Sequence, residues 1–286
     1  MSDELLRPFR DKLRGRPPGP RPGEPPAAPP GDEAPADSIH IREVRVGLFP
    51  EVSPLHPGFV PGLPRVRMTI DLGADLRGTS FPLSPEGREA LLGLCPRLLE
   101  HDCGDGDGIR RLLEDGARAA PETAVAPEET DPRDGLAAAH LIEHVAIEIL
   151  VGILGLRRCS GLTCAVRERL DRFDIFLESP DPLAGRAAVI LAAAVVRDLR
   201  LRRDARMTLH RRCRDLLALL ASSRAASLVA EDTASRLGCG PDEALQVLEE
   251  LVRLGYLAAV PSLLLFSSAT GVLFRRAEIP ATSRGL

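Results

Sequence analysis

The chain has 286 residues, enough for one large domain or two modest ones. It is 44% apolar and 27% charged, sufficient for a real core. Aromatic residues make up 3%, with no Trp and the single Tyr256, too few rings for a groove that stacks nucleic-acid bases. A net charge of −4 and a pI near 5.9 argue against a broad phosphate-binding face. Lys12 is the only lysine, a bias of composition rather than of chemistry.

Met1–Arg14 is charged and lacks the apolar core of a secretory signal, although Leu5, Leu6, Phe9 and Leu13 fall near one helical face, as a docking peptide would have them. The longest apolar run, Ala187–Val196, is about half of the roughly 20 residues a spanning helix needs, so the expectation is a cytoplasmic protein with no membrane segment. The six cysteines (95, 103, 159, 164, 213 and 239) form no C-x-x-C pair and read as free thiols. Cys159 and Cys164 make a poor metal pair without a second one. Residues 16–37 are Pro, Gly, Ala and acid without periodicity, and 1–38 reads as a disordered tail.

Order is expected from Ser38. Ile39, Ile41, Val44 and Val46 read as a strand. Val66, Met68, Ile70 and Leu72, alternating with polar residues, read as a second, and four prolines keep the connection between them extended. Ser84 caps a helix with Pro85 at its first position and Leu91, Leu92, Leu94, Leu98 and Leu99 on its apolar face. A short helix with Ile109, Leu112 and Leu113 and a loop over 119–133 come next. Asp134–Leu156 is the strongest helix, Phe173–Glu178 a short strand, and Pro182–Leu199 a very apolar helix. The fold class is therefore α+β: a two-layer, mostly antiparallel sheet with helices on one face, over residues 39–203. From 204 to 286, three helices (209–220, 227–237 and 241–254) and short strands at 257–260, 263–266 and 272–274 form a winged-helix-like pattern.

The chemistry-bearing pattern is His140-Leu-Ile-Glu143-His144, an H-x-x-E-H inside the strongest helix. Chance produces it on the order of 0.01 times in such a chain. At i and i+4 both imidazoles stand on one face and can reach one metal, with Glu143 beside them to take a proton from a metal-bound water. The alternative is two helix histidines that cap carbonyls or join ion pairs. Glu148 lies eight residues from His140, about 12 Å along the axis, too far to share its metal, and is better placed to orient an imidazole. Glu178 ends a strand before Ser179-Pro180 and is either a third ligand facing the helix or an ordinary strand-end carboxylate. His101 and Cys103 are candidates to line the site.

Four segments carry a resemblance: Leu94–Cys103 with its Glu-His-x-Cys, His140–Glu148, Phe173–Glu178, and Gly185-Arg186-Ala187-Ala188. Over roughly residues 39–200 the chain resembles the N-terminal domain of cyanophycin synthetases in the order and spacing of these motifs. The resemblance implies an inverzincin-like zinc peptidase site that cuts within a polymer. His140, His144 and Glu178 would be ligands of Zn2+ and Glu143 the base. Nothing similar to the ligase domains of that family follows in these 286 residues, and no G-x-x-x-x-G-K-[ST] loop is present in them, so polymer synthesis is not expected of them. The family's loop after the helix is replaced by Leu156-Arg-Arg-Cys-Ser-Gly161.

The expected function is zinc-dependent hydrolysis of a peptide or isopeptide, Asp–Arg polymer-like by resemblance, with Arg157 or Arg186 as candidates to help hold the oxyanion. The alternative is a non-catalytic metal- or peptide-binding regulator whose winged-helix region binds a partner. A protein partner is favoured over DNA, because the third helix carries Asp242, Glu243, Glu249 and Glu250 against Arg253 alone.

Overall fold

The computed structural model describes residues 39–73, 83–101, 113, 133–166, 169–223, 228–261 and 272–278. The expected tail, the helix at 109–112, the loop at 119–132, the strand at 263–266 and Cys103 lie outside the described residues.

Alternation of apolar and polar residues builds a four-stranded antiparallel sheet in the order β1-β2-β4-β3, formed by β1 (Ile39–Gly47), β2 (Arg65–Leu72), β3 (Gly161–Val166) and β4 (Arg169–Glu178). Val66, Met68, Ile70 and Leu72 of β2 and Phe173, Ile175 and Leu177 of β4 point to one face and are fully buried there. The opposite face is polar. Asp71 takes Arg42 and Arg172, and Asp174 takes Arg67 and the Thr69 hydroxyl. These paired charges let carboxylates as buried as Asp71, 1% exposed, sit on this face. A bulge between Ile41 and Glu43 interrupts the β1–β2 ladder.

The buried face is covered by helices whose ends follow local rules. In α1 (Pro85–Leu94) the Ser84 hydroxyl accepts the Gly87 amide at 3.0 Å. Helix α2 (Arg133–Leu154) ends at Gly155, whose φ of +61° lets the Leu156 amide reach back to the Val151 carbonyl. Asp181 caps α3 (Pro182–Arg200) by accepting from the Leu183 and Ala184 amides. From Ala138 to Leu150, α2 is buried at every position but the half-buried His140, so it is wedged between the sheet and other helices. The mate of α2 on the sheet is α3, which crosses close enough that a side chain at Gly185 would strike Ser179 and Val66. These features establish the α+β class that the sequence led us to expect.

The C-terminal part contributes α4 (Met207–Ser222), α5 (Ala230–Leu237), α6 (Pro241–Arg253) and a two-stranded ribbon of β5 (Leu257–Pro261) and β6 (Val272–Arg276), with a bridge from Leu228 to Phe274. Helix α4 packs on α1, α2 and α3, and one apolar core runs through both parts from Ile39 to Phe274. Two of the acids of α6 are engaged with arginines, Glu243 with Arg212 and Glu250 with Arg206 and Arg253. No described helix is long and apolar enough to cross a membrane.

Candidate metal centre

A cleft of about 570 Å³ opens beside α2. His140 and His144 project into it one helical turn apart, and their Nε2 atoms converge at 2.9 Å. Two nitrogens on one tetrahedral metal at 2.0–2.1 Å stand about 3.3 Å apart, so a shift of a few tenths of an ångström would seat an ion between them. The Glu143 carboxylate completes the group, all three ligand atoms lying within 4.8 Å of one another. This cluster can hold a metal ion.

Burial sets the protonation of its members. Glu143 is lifted to about 7 by loss of hydration, against which the Thr163 hydroxyl, donating to Oε2, pulls only partly. His144 is lowered to about 3, first by burial and then by the neighbouring His140 and His101, and so stays neutral as a ligand must. Glu143 fits only because residue 161 is glycine. A β-carbon there would sit 2.7 Å from its Oε1.

Behind the pair runs a second chain of contacts. His144 Nδ1 faces His101 Nδ1 at 2.9 Å, and His101 Nε2 meets Glu148 Oε1 at 2.6 Å. The other Glu148 oxygen accepts the Arg97 amide at 3.2 Å. Burial alone would raise Glu148, but the hydrogen bond and charge of His101 and the Arg97 amide outweigh it and hold the carboxyl below its ordinary value. Glu148 therefore reaches His144 through His101, and His101 lines the cleft.

Glu178 departs from the sequence expectation. Residues 173, 175 and 177 of β4 face the helices, so the period of two turns Phe176 and Glu178 to the opposite face. There Phe176 joins Val52 and Phe59 in a small cluster, and Glu178 Oε1 accepts the Val60 amide at 2.6 Å. Its strand partner is Arg65, 1% exposed, whose guanidinium donates to the carbonyls of Leu48 and Val60 and lies 4.5 Å over the Phe59 ring. Buried carboxylate and buried guanidinium thus fasten the segment 48–60 to the sheet. Glu178 stands outside the His140–Glu143–His144 group.

That fastened segment delivers a residue the sequence did not single out. His56 lines the cleft, its ring 4.9 Å from Phe59. Its Nδ1 accepts the Gly58 amide at 3.1 Å, and the Gly58 carbonyl in turn accepts the Ser160 hydroxyl at 2.9 Å. An imidazole that accepts at Nδ1 carries its proton on Nε2 when neutral, leaving one N–H donor. No spacing rule links His56, Thr163 and the H-x-x-E-H, because they come from three separate segments.

The remaining candidates scatter. Arg157 is exposed at the cleft rim. Arg186 lies across Gly255, where a β-carbon would sit 3.3 Å from its guanidinium carbon, and joins α3 to the turn before β5 rather than to the cleft. Cys159 lines the cleft, its thiol pushed up to about 12 by burial and by the Glu178 and Glu143 carboxylates, while Cys164 faces the Phe176 cluster. Compared with known protein families and with curated proteins, the chain matches no family model and no curated sequence.

Proposed function

We propose that the chain is a zinc-dependent peptidase. The observation that carries the reading is the meeting, in one open cleft, of two converging imidazoles with a buried carboxylate whose proton affinity lies near neutrality. His140 and His144 would hold the metal, and His101 with Glu148 would fix the ring of His144. Bound there, zinc lowers the pKa of a water to about 7 and polarises a carbonyl.

Glu143 takes one proton from the attacking water as the water oxygen bonds to the amide carbon and the carbonyl π pair moves onto its oxygen. Thr163 keeps the carboxylate aimed. The His56 N–H donates to the developing oxyanion and retains its proton. Glu143 then passes its proton to the amide nitrogen, the C–N bond breaks, and the new carboxylic acid gives its remaining proton to the departing amine, so that a carboxylate and an ammonium leave. Burial favours the protonated form of Glu143 while a cation beside it favours the charged form, so the carboxyl is suited both to take the proton and to give it back.

The test pairs metal analysis with peptide hydrolysis in the wild type and in Glu143→Gln. The amide is nearly isosteric and still accepts from Thr163, so zinc should remain at one per chain while hydrolysis falls roughly 10²–10⁴-fold. Undiminished hydrolysis in Glu143→Gln would overturn the mechanism. Zinc bound by a wild type that cleaves no peptide would favour a metal- or peptide-binding role instead.

A further inference from the structure

The sheet order leaves β3 at one edge, and Ser160, Gly161, Leu162 and Thr163 line the cleft. Which of their main-chain groups face outward follows from the register. Glu178 donates its amide to the Ser160 carbonyl at 2.9 Å, and the β3–β4 pairing continues as Gly161 with Leu177, Leu162 with Phe176 and Thr163 with Ile175. In an antiparallel ladder, hydrogen-bonded and non-hydrogen-bonded pairs alternate. Ser160 and Leu162 therefore spend their amides and carbonyls on β4, and Gly161 and Thr163 turn theirs away from it.

No described residue takes the outward groups of Gly161 and Thr163. The side positions of the same two residues face Glu143, one as the space its carboxylate fills and the other as its hydroxyl donor. Two amides and two carbonyls, about 7 Å apart along the strand, thus flank the proposed base.

We infer that the unpaired edge of β3, half-buried at Thr163 and buried at Gly161 on the cleft wall, binds the substrate main chain as an added strand, so that the ligand is an extended α-peptide recognised through its backbone. The inference rests on the peptidase reading and narrows its substrate class. A main chain laid along Gly161 and Thr163 satisfies backbone groups whatever its side chains, and it carries a peptide carbonyl past Glu143 and the two imidazoles. An isopeptide linkage held by side-chain contacts alone would leave this edge unused. Strand addition has a signature that a shape-fitting pocket lacks, because only every second residue of the ligand turns its amide toward the edge.

The experiment uses zinc-loaded full-length protein and the peptide hydroxamate acetyl-Ala-Ala-Ala-Ala-Ala-NHOH, with acetohydroxamate as the metal-only control. N-methylation of the peptide, one amide at a time, should weaken binding roughly tenfold at alternate positions and little between them. In parallel, hydrogen exchange at the Gly161 and Thr163 amides should slow when the peptide binds, whereas the Leu162 amide is already protected in the free protein. A peptide that binds no better than acetohydroxamate, or one equally indifferent to N-methylation everywhere, overturns the strand inference and leaves the metal centre standing. Absence of zinc and of acetohydroxamate binding overturns the peptidase reading itself.

Discussion

Two histidine–carboxylate pairs of the described residues, His101–Glu148 and His210–Asp198, serve opposite ends. His101 meets Glu148 at 2.6 Å on the cleft wall, and the second nitrogen of His101 turns to His144. His210 of α4 meets Asp198 of α3 at 2.9 Å with neither side chain exposed at all. Arg197, Arg203 and Arg206 ring Asp198 at 3.4–3.8 Å, and the second nitrogen of His210 is buried without a hydrogen-bond partner among the described residues. The bond between the partners is similar. What differs is the far side of the imidazole: at His101 it continues to a ring that lines the cleft, and at His210 it ends at a buried nitrogen. A His–carboxylate contact therefore says little about function until the other ring nitrogen has been followed.

Substitutions that separate stability from metal binding test this contrast. Removing one partner of a buried charged pair typically costs about 3–5 kcal/mol, so Asp198→Ala should lower the unfolding free energy by about that amount in urea titration. Zinc per folded molecule should be unchanged. Loss of zinc from folded Asp198→Ala would make the two pairs one system and dissolve the comparison.

The converse is expected at the cleft. Glu148→Gln keeps the shape and an acceptor for His101 but removes the charge that steadies the His101–His144 chain. Zinc affinity should fall roughly 10- to 100-fold, read by competition with a chromogenic chelator. The urea midpoint should move much less than in Asp198→Ala.

The smallest effect is the acid limb of stability. Asp198 is raised by burial, but the hydrogen bond from His210 and the arginine charges outweigh this and hold it below its ordinary 3.8. Asp71 is likewise held down by Arg172 and Arg42 against its burial. A carboxyl depressed in the folded state stabilises fully above its unfolded value and loses that contribution as pH falls through the lowered folded value. Unfolding free energy should therefore decline below about pH 4. The decline should be shallower in Asp198→Asn, a difference visible in urea titrations repeated between pH 2 and 6.

The elements legible in the sequence were those whose pattern is local. The H-x-x-E-H needs one helix only, and the period of α2 announces it; the Ser84-Pro85 start and the alternation in β1 and β2 are equally self-contained. Strand β3 was hidden because Gly161–Val166 is short and follows a charged loop, so no run of alternating residues stands out. Between the two readings of Glu178 the alternation already decides: Phe173, Ile175 and Leu177 mark the helix-facing parity, and Glu178 has the other one. A strand-end residue obeys its strand before it serves a site. His56, Thr163 and the closeness of His101 to His144 depend on tertiary placement, which spacing along one segment does not encode.

The bulge in β1 has a consequence for the molecule in a crowded solution. An unpaired strand edge is a template on which another copy can add, and repeated addition leads to fibres. Along β1 the kink at Ile41–Glu43 breaks the straight row of amides, and His40, Glu43 and Arg45 stand exposed on it. An approaching copy would have to match that irregular spacing and displace the Arg45–Glu43 ion pair that lies on it. Sheet-to-sheet polymerisation through this edge is therefore discouraged, and the protein can be concentrated without seeding its own aggregation there.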